Sequence, residues 1–363
     1  MKKDLLVVFG GASPEYEVSC ASAAALIGAI SREKYTVHCV GITREGHWIL
    51  TQAPVEAIAD SQTWLTDEGN RPAVLSPDRG DHGLLIFNGQ TCRKQNIDVV
   101  FPIIHGETGE DGELQGLLEL ADIPYVGCGV CASACSMDKS VTMLFADLCG
   151  LQCPEHFSCE AAAFLHTPEK IAGQIMEHFQ AKLGHVFPLF VKPASTGSSI
   201  GISKVNDEAE LLQALHTAAQ FGGRLVVEEN IVGKEVKVAV LGSGKDIRLG
   251  ELCEVVVANG IFNDFKLKYK SGGSHKKIPA ELPRETEETL RRDAVAIYRI
   301  LGCAGFSRVD FFVTEDGRVI FNEINTVPGF TRGSIYSLMM NKAGISYEEL
   351  VQDLIETAGD AAE

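Results

Sequence analysis

The chain opens on five consecutive apolar residues, Leu5–Phe9, closed by Gly10-Gly11. A polar loop, GASPEYEVS, and an alanine-rich helical stretch from about Cys20 to Ile30 follow, and then a second apolar run, Val37–Thr43. A short apolar run ended by glycines reads as a buried strand. Strand, helix and strand in that order read as a parallel pair, with any ligand at the strands' C-terminal ends. The rhythm resumes at Val99–Ile104, after a variable polar stretch around 60–81, and a short helix over Glu113–Leu120 closes this first unit. The expectation is an α/β chain whose N-terminal domain is a parallel sheet.

Two further units follow in a chain of 363 residues, a length that suits two or three domains. The second begins near Ile123-Pro124-Tyr125. It reads as a helix at Asp138–Cys149, a buried strand at Leu189–Lys192, a helix at Asp207–Gln220 and a strand at Arg224–Glu229. The third is strand-rich: Val236–Leu241, Leu252–Ala258, Arg308–Thr314 and Val319–Ile324. Helices are predicted at Glu285–Leu301 and Tyr347–Ile355. The predicted boundaries are 1–123, 124–229 and 230–363. Residues 259–279 lack periodicity and read as a long functional loop, often a lid.

Charge removes whole classes of partner. A formal net charge of −17 repels phosphate backbones and anionic surfaces, so neither nucleic acid nor a membrane is an expected partner. No signal peptide and no membrane-length apolar run is read, so a cytoplasmic protein is expected. Of eleven cysteines, six crowd between Cys128 and Cys159. Cys128-x-x-Cys131 has the spacing of a zinc knuckle or redox pair. Cys149 and Cys153 make a poor second pair, and the cluster is read as small apolar residues in a reducing compartment.

Chemistry concentrates in five places. Asp310 and Glu323 lie inside apolar runs (VDFFV, VIFNEI), where an unpaired carboxylate is costly. Asp316-Gly317 joins the two strands as a hairpin and brings the carboxylates level. Asn325 shares the face of Glu323. This is a hard-oxygen set of the kind that holds magnesium beside nucleotide phosphates. The second place is the turn after Lys192, Pro193–Gly201, a glycine-serine anion nest or simply a flexible turn. His105–Gln115 carries glycines that allow close approach to a ligand, or acids that merely cap a helix. In Glu15–Ser19 a carboxylate could hold an ammonium group or cap the helix. Glu228, Glu229 and Glu235, with Lys139 and Lys234 elsewhere, are strand-end carboxylates that can accept from ribose hydroxyls and an adenine amino group, or are solvated surface charge.

In this order the segments FGGASPEYEVS, HGETGEDGELQG, IPYVGCGVCASACSMDKS, FVKPASTGSSIGISKV, VVEENIVGKEVKVAVLG, GFSRVDFFV and FNEINTVPGFT resemble the D-alanine–D-alanine ligase family of the ATP-grasp superfamily, over nearly the whole chain. The resemblance implies an ATP-grasp fold of three α/β domains with ATP between the central and C-terminal ones. It implies that Lys139 and Lys192 contact ATP phosphates, that Glu228 lies at the adenine and Glu235 at the ribose, and that Asp310, Glu323 and Asn325 bind two Mg2+ (or Mn2+). Two D-alanines would be joined through a D-alanyl phosphate for peptidoglycan precursors. Arg308 and the Gly329 N–H would stabilise the oxyanion, Glu17 would hold the first ammonium, and His105 would lie near the first substrate. Ser334 would receive the second carboxylate. Glu17, Ser198 and Tyr269 would form a hydrogen-bonded set, and Lys268 would reach the γ-phosphate when the lid shuts out water. A homodimer is also implied.

Two departures bear on specificity. The lid reads Asn263-Asp264-Phe265 where the family commonly has tyrosine-aspartate-tyrosine, but Lys268-Tyr269 is kept, which disfavours a lactate-type product. Ile335 stands where D-alanine-selective members carry leucine or methionine and several D-serine-selective members carry arginine. It favours a small apolar second substrate, with D-serine the alternative. Arg332 is unusual. The rivals are another ATP-grasp carboxylate–amine ligase and a non-catalytic nucleotide-binding module. The first would lack EYEVS and the Lys268-Tyr269 pair, and the second would have lost a metal ligand or Arg308.

Overall fold

A computed structural model describes residues 2–198, 200–257 and 274–358. Residues 259–273 of the expected lid, with its Lys268 and Tyr269, lie outside the described residues, as do the last five. Three sheets follow one another along the chain.

The first sheet has seven strands: β1 (Lys3–Gly10), β2 (Tyr35–Ile42), β3 (Trp48–Thr51), β4 (Arg71–Leu75), β5 (Gly83–Asn88), β6 (Thr91–Asn96) and β7 (Val99–Pro102), in the order β6-β5-β4-β3-β2-β1-β7. Only β2, β1 and β7 run parallel; β3 to β6 extend the sheet antiparallel. The expected parallel sheet is present in β2, β1 and β7, and an antiparallel arm extends it. Strands β4, β5 and β6 follow one another through short loops, as antiparallel neighbours can, while the longer link from β3 to β4 carries the short helix Val55–Ala59. Helix α1 (Tyr16–Ala29) packs on β1 and begins four residues before its expected start at Cys20.

The second sheet, β8 (His156–Glu160), β9 (Leu189–Pro193), β10 (Ser203–Val205) and β11 (Arg224–Glu229), is antiparallel in the order β10-β9-β11-β8. The third contains β12 (Lys234–Leu241), β13 (Arg248–Leu249), β14 (Cys253–Val257), β15 (Ser274–Lys277), β16 (Phe306–Val313) and β17 (Val319–Asn325), with main order β15-β14-β12-β16-β17. Strand β15 falls inside the segment expected to be a loop. The helix Arg284–Ile300 presents Leu290, Ala294, Ile297 and Tyr298 to the third sheet, the i, i+4, i+7, i+8 stripe of a core-facing helix.

The first and third sheets share one core. Phe101 on β7 lies 6.1 Å from Phe306 on β16 and 5.8 Å from Phe330, ring centre to ring centre. Tyr336 and Tyr347 close the cluster. This apolar contact holds the loops after β1 and β7 over the polar face of the third sheet. Among the described residues no helix is long and apolar enough to cross a membrane.

Candidate active site

A cavity of about 270 Å³ opens where the three sheets meet. Its floor is one face of β12, β16 and β17. Lys237 stands directly opposite Asp310, Asp310 opposite Glu323, and Arg308 opposite Asn325. Side chains directly across a sheet share a face, as do those two apart on one strand. The three strands thus carry Glu235/Lys237, Arg308/Asp310 and Glu323/Asn325 side by side, and the Asp316-Gly317 turn levels the carboxylates as the sequence predicts.

The floor is bound by charge. Arg308 donates from Nε to Asp310 Oδ1 (2.7 Å) and from Nη2 to Oδ2 (2.9 Å). Lys237 Nζ donates to Asp310 Oδ2 (2.6 Å) and to Glu235 Oε1 (2.7 Å). Burial pushes the Asp310 carboxyl up, but Arg308 and Lys237 outweigh it and bring it to about 2. Burial likewise lowers the Lys237 ammonium, and Asp310 and Glu235 reverse the effect and raise it. Glu235, Glu323 and Asn325 line the cavity, whereas Asp310 is almost wholly buried and does not. Asn325 Oδ1 also accepts from Val327 N–H, which fixes the turn leading to Gly329.

The walls come from the other two units. Asp138 caps the helix Lys139–Leu148, accepting from the N–H groups of Ser140 and Val141. The cap sets Lys139 at the cavity edge, where Nζ donates to the Thr196 carbonyl (2.7 Å). In the glycine-serine turn Ser198 adopts φ 51° and its hydroxyl donates to Glu15 Oε1. The Ser198 partner is therefore Glu15 and not the expected Glu17. Because α1 starts at Tyr16, Glu15 is its N-cap residue. Two helical positions turn the chain by roughly 200°, so Glu17 faces solvent. It is more than half exposed and pairs with Arg44.

His105 lines the cavity with both ring nitrogens engaged: Nδ1 donates to the Val327 carbonyl (2.8 Å) and Nε2 meets Ser22 Oγ (2.9 Å). Burial lowers its pKa, and the nearby Glu15 opposes this only in part. Glu110, 3.9 Å away, is buried, and burial together with Glu15 raises it well above the ordinary carboxylate range. Gly329, Ser334 and Ile335 also line the cavity. Arg332 points away from it, pairing with Glu348 at 2.5 Å over the Tyr347 ring.

Lys192 and Glu228 are brought together but not to this cavity. They form a buried pair at 2.5 Å, and among the described residues Glu228 Oε1 has no hydrogen-bond partner. A buried acceptor without a donor is costly, and an adenine amino group is a donor that would satisfy it, so the residues present fit a purine. Glu323 and Asn325 at the cavity wall supply hard oxygens that fit a magnesium-sized ion. The cysteines do not form a metal site. Cys128 is buried with Sγ against the Ala304 carbonyl and Ser307, and Cys135, Cys149 and Cys153 pack on the third sheet's core. Among the described residues no group of three or more His, Cys, Asp or Glu side chains is arranged to hold a metal.

The sequence reading flagged the Glu15–Ser19 loop but settled on Glu17, and it did not single out Glu110, Lys237 or Lys276, all at the cavity with Glu15. Lys237 carried a usable signal: a charge inside the apolar run VKVAVL, two residues from Glu235, as conspicuous as Asp310 in VDFFV. Choosing Glu110 among the four acids of GETGEDGE needed the fold.

Residues 4–128 match the family described as D-ala D-ala ligase N-terminus, and residues 147–356 match D-ala D-ala ligase C-terminus. A D-alanine–D-alanine ligase of Acetivibrio thermocellus is 40% identical over 98% of this chain and 96% of its own. A putative D-alanine–D-lactate ligase of Streptomyces coelicolor is 38% identical over 97% and 96%. Among solved structures, the VanG D-Ala:D-Ser ligase from Enterococcus faecalis superposes with a TM-score of 0.86 at 39% identity, covering 98% of this chain and 99% of that one. With matches along both parts of its length, and with this floor of paired charges between three sheets, the chain belongs to the D-Ala–D-Ala ligase family and has its ATP-grasp fold.

Proposed function

We propose that this chain joins two D-alanines at the expense of ATP, forming a D-alanyl phosphate that the second amine attacks, and so serves peptidoglycan precursor synthesis. The observation that carries the choice of second substrate is Ile335. It lines the cavity beside Ser334 and offers an apolar wall to a methyl group. Lys139 would bind ATP phosphates, Glu235 the ribose, and Glu228, steadied by Lys192, the adenine. Glu323 and Asn325 would hold magnesium, which when bound offsets charge on the transferring phosphoryl group.

The protein's own part is orientation. Glu15, fixed by Ser198, would hold the first ammonium in place of Glu17. Two of the five Arg308 donors are tied to Asp310, which fixes the guanidinium plane. The remaining donors and the Gly329 N–H would meet the developing oxyanion. Ser334 would take the second carboxylate, and Lys268 and Tyr269 would act on closure. The three sheets would then correspond to domains 1–123, 124–229 and 230–363.

A second reading, D-alanine–D-serine ligation, is favoured by the VanG superposition, since an apolar pocket rejects an added hydroxyl only modestly. The test is ATP-coupled phosphate release with magnesium and D-alanine alone, then with D-serine or D-lactate added, and products identified by mass. D-Ala–D-Ala as the main product is expected. Mainly D-Ala–D-Ser would establish the second reading, and no phosphate release with any D-amino acid would refute both.

A further inference from the structure

Lys237 is an ammonium buried at the place where a metal ion would be sought. Its Cα lies directly across the ladder from that of Asp310. Nζ is 2.6 Å from Asp310 Oδ2 and 2.7 Å from Glu235 Oε1, and the side chains of Lys237 and Asp310 are 8% and 1% exposed. Asp310 accepts three cationic hydrogen bonds, two from Arg308 and one from Lys237. A carboxylate offers about four such positions. Moreover, Lys237 and Arg308 line the cavity while Asp310 does not, so a cation arriving from the cavity meets two positive charges before it reaches Asp310.

We infer that the Lys237 ammonium serves as a built-in cation at Asp310, in place of one of two divalent ions, so that the chain takes up a single divalent ion with its nucleotide, at Glu323 and Asn325. The inference rests on the ATP and magnesium reading above. A compact ammonium bridging two carboxylates from adjacent strands does the electrostatic work of a bridging metal. It is also tethered, so it is present before nucleotide arrives.

The experiment counts Mn2+ bound per chain by electron paramagnetic resonance, with a saturating non-hydrolysable ATP analogue, in wild type, Lys237→Met and Lys237→Arg. Methionine keeps the stem and removes the charge. Asp310 stays paired with Arg308 in that variant, so no buried charge is stranded. Thermal unfolding confirms that each protein is folded. One Mn2+ in wild type and in Lys237→Arg, with two in Lys237→Met, is the expected result. Two in wild type, or the same number in wild type and Lys237→Met, would overturn the inference and leave the nucleotide reading standing. No nucleotide-dependent Mn2+ in any of the three would overturn both.

Discussion

At Glu15 a single carboxylate is held by Ser198 and packs close against Gly106. Ser198 donates to one oxygen, and a Cβ added to Gly106 would stand 2.9 Å from the other, at a backbone φ of +78°. Glu15→Gln removes a charge-assisted contact worth roughly 1.5–3 kcal/mol, so kcat/KM for D-alanine should fall roughly 10- to 100-fold. Glu17→Gln breaks only an exposed pair with Arg44, worth roughly 0–1 kcal/mol, and should leave steady-state kinetics essentially unchanged. Equal losses in the two variants would remove the Glu15 assignment. Glu323→Gln should abolish ADP formation while circular dichroism and melting stay near wild type; wild-type turnover would remove the metal assignment. The sequence could not choose between Glu15 and Glu17. Both are glutamates in one pentapeptide, and the choice turns on where α1 begins, which the alanine-rich stretch beyond Cys20 does not mark. Asp310 and Glu323 were legible because a carboxylate inside an apolar run must have a reason to be there.

Among the elements, those with a strong burial pattern were the ones that could be read. Strands β16 and β17 alternate around a DG turn, and their register follows from it. Strand β6 is exposed at nearly every position, so no alternation marks it. Strands β4 and β8 also carry mostly exposed or half-exposed positions, and the helix Val130–Met137 is built of small residues with little apolar periodicity. The elements that set the cavity nevertheless make their own predictions. The Asp138 cap both starts the helix Lys139–Leu148 and orients Lys139. Asp138→Ala should cost about 0.5–2 kcal/mol in denaturant unfolding and raise the KM for ATP more than that for D-alanine. An unchanged KM for ATP would separate Lys139 from the nucleotide. Arg332 packs outward from the turn before the helix Ile335–Lys342, against Glu348 and Tyr347. Arg332→Ala should therefore leave the ratio of D-Ala–D-Ser to D-Ala–D-Ala products unchanged, whereas Ile335→Arg should shift it.

The whole molecule is held closed over its site by the contacts between the first and third sheets, and these include a proton arrangement that global stability can report. His105, from the loop after β7, reaches the Val327 carbonyl of the third sheet's turn, and its pKa is lowered mainly by burial. Glu110 beside it is raised, again mainly by burial. Unfolded, an ordinary histidine titrates near 6.5 and a glutamate near 4.5. Folding therefore disfavours a proton on His105 and favours one on Glu110. The two shifts have opposite signs, so by linkage their contributions to the pH dependence of stability oppose each other. Each half alone is not neutral. In Glu110→Gln the histidine acts alone. A lowered folded pKa gives stability that is present above 6.5 and lost as pH falls, at up to roughly 1.4 kcal/mol per pH unit. In His105→Gln the glutamate acts alone. A raised folded pKa gives stability that is present below 4.5 and lost as pH rises toward the folded value, with the opposite slope. Urea midpoints measured from pH 5.0 to 6.5 should thus rise with pH relative to wild type in Glu110→Gln and fall in His105→Gln. Parallel profiles in all three proteins would mean that the two groups keep their ordinary charges inside the fold, and that the contact between the sheets holds an imidazolium–carboxylate pair instead of a neutral one.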